Sequence, residues 1–210
     1  MNLSAYCERL DAGFWAEPFN AVTNLAFFAA ALAAWRLWRR DDRRDRPVLV
    51  LIGLAALIGV GSFLFHTMPA RWSALADVIP IQLFAFGYFC LAMRRFLGLG
   101  ACAAAIATVA FVAASFALQR GLGPLLPPGA RGSAAYASFV IALFATAWLV
   151  RRRVGVGAGT SSAAALAFAG VLFALSLTLR SIDQAVCAAL PVGTHFLWHL
   201  LNAGVVFGLL

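Results

Sequence analysis

The chain carries three histidines, and all three stand where a metal ion could use them. His195 and His199 are spaced i and i+4, which puts both imidazoles on one helix face. Ser62 and His66 share that spacing, and Asp77 follows in the next apolar stretch. Glu17 and Asn20 are spaced i and i+3, with Asn24 one turn further. Three imidazoles with one open position form a catalytic zinc set whose fourth ligand is water. Zinc lowers the pKa of that water to ~7 and polarises an approaching carbonyl. A nearby carboxylate can shuttle the proton. Singly these signals are weak. Histidine pairs at this spacing arise by chance, and small hydroxyls and amides such as Ser62, Asn20 and Asn24 also serve as contacts between helices.

The elements that position these groups follow from composition. Of 210 residues, 63% are hydrophobic and 11% charged, where a soluble domain has about a quarter charged. So few charges cannot cover a water-facing surface, which excludes an ordinary soluble domain and a disordered chain. The net charge of +8 comes entirely from arginine over acid, with no lysine. Those arginines are not interleaved with polar surface, so no nucleic-acid partner is expected, and no protein partner is predicted. The fold class expected is all-α: one polytopic membrane domain over 1–210, a bundle of seven transmembrane helices.

A spanning helix needs ~20 mostly apolar residues. Seven stretches qualify, near 18–38, 47–68, 74–93, 96–118, 133–150, 160–179 and 191–210. Their Ala-, Leu- and Phe-rich runs lack the alternation of barrel strands. The first 17 residues hold Glu8, Asp11 and Glu17 and do not read as a signal peptide. Arginines crowd the turns after the first, third and fifth spans, Arg43 among them, which places those turns in the cytoplasm and the N-terminus outside. Glu17, Ser62–His66, Asp77 and His195–His199 then all fall at the outer ends of their helices. Ionisable groups in a membrane are costly, so this single layer is the functional candidate. Trp198, between the paired histidines, is read as packing, with the lining of an apolar-chain cavity as the second reading.

At this point the chain resembles the alkaline ceramidases, within a wider group of seven-helix membrane proteins that includes receptor-like members. The resemblance rests on E-x-x-N (Glu17, Asn20), S-x-x-x-H (Ser62, His66), Asp77 and H-x-x-x-H (His195, His199). It rests further on YCE (Tyr6 to Glu8), GVGSFLFH (Gly59 to His66), ADVIPI (Ala76 to Ile81), RSIDQAVC (Arg180 to Cys187) and HFLWHLLNA (His195 to Ala203).

The resemblance implies that His66, His195 and His199 bind Zn²⁺ with a water, that Asp77 activates this water and that Ser62 holds the oxyanion. It implies a lipid amide such as ceramide as substrate, split to a sphingoid base and a fatty acid. It also implies a Ca²⁺ site of N-terminal acidic residues, which Glu8 and Glu17 match. Ala5 stands where a further acid is expected, with Asp11 as the candidate replacement; the other reading of Glu8 and Asp11 is a solvated terminus. A disulfide between Cys7 and Cys187 is likewise implied, whereas Cys90 and Cys102 read as packing residues. Asp183 is read as a brace for the last turn, without chemistry. The competing function is a receptor-like membrane protein with a structural metal; a transporter fits less well, because the polar residues stay in one layer. Alanine- and arginine-rich usage points to a bacterial inner membrane, with the site on its periplasmic side.

Overall fold

Uninterrupted apolar sequence with few β-branched runs folds as helix, because a membrane leaves no water to satisfy open backbone groups. The computed structural model describes residues 6–42, 44–154 and 159–210; Ala5 and Arg43 lie outside them. The described residues form α1 (Pro18–Thr23), α2 (Leu25–Arg40), α3 (Arg46–Thr67), α4 (Arg71–Phe96), α5 (Ala101–Leu122), α6 (Ala134–Val154), α7 (Gly159–Val186) and α8 (His195–Leu209). Two short 3-10 turns, Gly123–Leu125 and Pro128–Ser133, join α5 to α6.

Six segments are long and apolar enough to cross a membrane, with α1 and α2 together making one. Helix α8 is apolar but has only 15 residues, short of a full crossing. The protein is thus an all-helical, multi-pass membrane protein. Consecutive helices from α2 to α8 pack side by side, and α8 returns to α2, which closes a ring.

The ends differ from the hydropathy reading for local reasons. The first span breaks at Asn24, whose side chain donates back to the Asn20 carbonyl at 2.8 Å. Helix α4 runs on to Phe96 and ends in a turn where Gly98 has φ +63°, so α5 begins at Ala101 and not near 96. Helix α7 continues to Val186, which brings Asp183 into its last turns. Pro191 and Gly193, the latter at φ +71°, then turn the chain, so the last helix starts on His195 itself.

The approach of α3 to α4 has a specific cause. Pro80 lacks the N–H that would bond the Ala76 carbonyl within α4. That carbonyl faces Gly61 of α3 so closely that any Cβ at Gly61 would collide with it. A proline and a glycine therefore bring two backbones together, and the residues that follow each contact point are Ser62 and Asp77.

Candidate metal centre

The structure brings the three histidines together from two helix ends. His66 closes α3, and His195 and His199 open α8. All three are buried, and one nitrogen from each lies within 4.8 Å of the others. The rings are 4.8 to 5.2 Å apart between centroids.

Two of the histidines are held from behind. His66 Nδ1 meets Glu17 Oε2 at 2.5 Å, and His199 Nδ1 meets the Thr23 hydroxyl at 2.9 Å. In both rings the other nitrogen is left facing the cluster, the arrangement by which outer partners orient metal-binding imidazoles. His195 Nδ1 is buried with no hydrogen-bond partner among the described residues. Three imidazoles facing one point, one of them with an orphan nitrogen, fit a metal ion that takes nitrogen ligands, zinc above all.

The backbone of His195 is positioned by Asp183. This buried carboxylate accepts from the N–H of Thr194 at 2.6 Å and of His195 at 2.9 Å through Oδ1, and from Cys7 N–H at 3.0 Å through Oδ2. It caps α8 from another helix, where a negative charge is favourable. Gly193 makes this possible, because a Cβ there would meet the carboxylate. Cys7 is joined to Cys187 by a disulfide with Cα atoms 5.2 Å apart. The bond ties the N-terminal segment to the end of α7. Cys90 and Cys102 are free thiols.

Ser62 Oγ lies 3.4 Å from His199 Nε2 and also reaches Asp77. Asp77 is partly buried on α4. The N-terminal carboxylates are placed differently from a calcium cage. Glu8 accepts from the N–H of Phe19 at 2.6 Å and of Asn20 at 2.9 Å. Glu17 is engaged by Arg9, by the Asn20 amide at 3.0 Å and by His66. Asp11 is exposed and accepts from Gly13 N–H at 2.6 Å. Calcium asks for six to eight oxygens, and this set does not fit it.

Tyr6 and Arg180 belong to the site and were not legible as such. The Tyr6 ring stacks on His195 with centroids 3.7 Å apart. Arg180 donates to the Tyr6 hydroxyl at 3.3 Å and to Ser133 Oγ at 3.1 Å. Its guanidinium lies over the rings of Tyr136 and Trp198, at 5.4 and 5.5 Å. Burial pushes the Tyr6 phenol above its ordinary range, with the Arg180 charge opposing, so it remains a neutral phenol. The signal available in sequence was a lone arginine ending an apolar stretch, one turn before Asp183.

Below the histidines lies a narrow cavity lined mostly by apolar side chains, with about 100 Å³ of space open to water-sized groups. Ser62, Asp77 and His199 line its polar end. Residues of all the helices from α2 to α8 line the rest, including Phe27, Phe84, Phe111, Phe139, Phe173 and Val206. Trp198 both packs and lines it: it is buried against Tyr136 and Phe173 and borders the space. A second opening between α4, α5 and α6 shares Phe89, Phe111, Ala142 and Thr146 with the first.

This is a multi-pass helical protein whose buried three-histidine group, at the head of a largely apolar cavity, could hold a metal ion. The ceramidase family model matches residues 5–209, and the chain belongs to the ceramidase family. Membership makes it ceramidase-like and points to a hydrolase of amide bonds. No curated protein and no solved structure matches the chain.

Proposed function

We propose that this protein is a zinc-dependent hydrolase that cleaves the amide bond of a membrane lipid such as ceramide, releasing a fatty acid and an amine. The observation that carries the reading is the continuity of the site. A nitrogen-rich metal centre, a carboxylate and a hydroxyl stand at one end of a cavity whose other lining, apart from Thr146 and Asn202, is almost wholly apolar or aromatic. A lipid amide has the same order: a polar reacting bond, then a long apolar chain.

His66, His195 and His199 would hold the zinc. When bound, zinc supplies Lewis-acid polarisation of the carbonyl and a water of lowered pKa. Asp77 is the general base: it takes a proton from the attacking water and passes it to the leaving nitrogen. Ser62 Oγ is the donor for the oxygen that gains charge as the carbonyl carbon becomes tetrahedral. Glu17 and Thr23 keep His66 and His199 in the required rotamers. The cavity takes the acyl chain and excludes bulk water. From Asp77 to Ala92 its wall on α4 is about 22 Å long at 1.5 Å per residue. The opening between α4, α5 and α6 offers the chain a path from the bilayer.

The arginines at the ends of α2, α4 and α6 support a site on the outer face, the periplasmic side if the membrane is a bacterial inner one. The chain as one seven-helix domain is part of the same proposal.

The test is incubation of purified protein with labelled ceramides and N-acyl amino lipids of several chain lengths. Fatty acid release is expected, with about one zinc per chain. His199→Ala should lose both zinc and turnover. Asp77→Asn should keep zinc and lose about 10²- to 10⁴-fold in kcat. Zinc retained with no release from any lipid amide would favour the receptor-like reading.

A further inference from the structure

We infer that Arg9 is a built-in cation that takes the place of calcium beside the histidine site, so that this protein assembles the site without a divalent ion there. The inference concerns the support of His66 and, in its zinc readout alone, rests on the proposed function.

Arg9 is almost fully buried at 4% exposure. Its Nε donates to Glu17 Oε1, its Nη2 donates to the His66 carbonyl at 2.6 Å, and its Nη1 donates to the Asp11 carbonyl at 3.3 Å. The His66 carbonyl is among the last of α3 and has no partner within its own helix. A cation is favoured there by the helix dipole and by the Glu17 charge together. One guanidinium therefore joins three things: the N-terminal segment, the start of α1 and the end of α3. That is the task a bridging metal ion would perform.

The remaining oxygens could not also hold calcium. Both Glu8 oxygens cap the start of α1, and the second Glu17 oxygen serves Asn20 and His66. Two buried amide oxygens, Asn20 Oδ1 and Asn24 Oδ1, have no partner among the described residues. Two neutral oxygens fall short of six to eight, and the fixed positive charge of Arg9 repels a divalent ion. The consequence reaches His66 through Glu17: Arg9 holds one carboxylate oxygen while the other holds His66 Nδ1. Arg9 is a positioning residue.

The test uses the purified full chain in buffer freed of calcium on a chelating resin. Thermal melting and zinc per chain are read with and without about 1 mM calcium, a level that fills most protein calcium sites. The wild type should show the same Tm and zinc content in both. A filled calcium site would raise Tm by roughly 5 °C or more, and that result overturns the inference. Arg9→Ala should melt lower and bind zinc about 10- to 100-fold more weakly. Millimolar methylguanidinium should restore part of both, because the vacated cradle still carries Glu17 and the His66 carbonyl. An Arg9→Ala protein indistinguishable from wild type would also overturn the inference. Should that variant not fold, the wild-type calcium titration decides alone. The melting readouts need neither zinc nor substrate, so failure of the hydrolase reading leaves them intact.

Discussion

Asp183 shows how much one side chain carries when it is buried and charged. Its two oxygens accept three backbone N–H groups, from Cys7, Thr194 and His195. Charge-assisted hydrogen bonds of this kind contribute ~1.5–3 kcal/mol each, and an unsatisfied buried donor costs a similar amount. Asp183→Ala should therefore lower stability by roughly 3 kcal/mol or more, seen as a fall in Tm in detergent, with zinc affinity reduced because His195 loses its anchor. Unchanged melting would mean that the three N–H groups find other partners. The acid was legible in sequence as a brace; its three recipients were not, because they lie 11, 12 and 176 residues away along the chain.

Among the helices, the contact of α3 with α4 decides whether Ser62 and Asp77 meet. The glycine at 61 and the proline at 80 act as a pair, one removing a side chain and the other freeing a carbonyl. Gly61→Val should push the two helices apart. Turnover is expected to fall by more than about tenfold, equivalent to ~1.4 kcal/mol in the barrier, while the zinc content stays near wild type. Gly53→Ala on the same helix is the control, since a Cβ at Gly53 meets nothing within 4 Å. Equal losses from both would assign the effect to general packing. Hydropathy located the apolar stretches, but it merged α1 with α2 and read the short α8 as a full span. It misplaced their ends by several residues, because the ends depend on Asn24, Gly98 and Gly193, whose local geometry a hydropathy average does not see.

The molecule as a whole is a ring of helices around a cavity, capped over the histidines by the N-terminal segment, where Tyr6 stacks on His195. Ala92 lies far along the cavity wall from Asp77. Ala92→Phe should leave short-chain amides as substrates and slow long-chain ones, so the ratio of their kcat/KM values shifts by about tenfold or more towards the short chain. No change in that ratio would place the acyl chain elsewhere. The cap depends on the bond between Cys7 and Cys187. Cys7→Ser should loosen the segment that holds Tyr6 over His195 and Arg9 over Glu17, giving a lower Tm and faster proteolysis near the N-terminus. Composition sufficed for the class of protein, because so few charges leave no alternative to a membrane. Helix periodicity sufficed for the histidine layer, because each group sits at one end of its own apolar run. Cavity, cap and cation were a different matter. All the helices from α2 to α8 line the cavity, the disulfide joins residues 180 positions apart, and Arg9 meets a carbonyl 57 positions away. Such contacts exist only after the ring closes, since local sequence sets which face of a helix is polar and the packing of distant helices sets what that face touches.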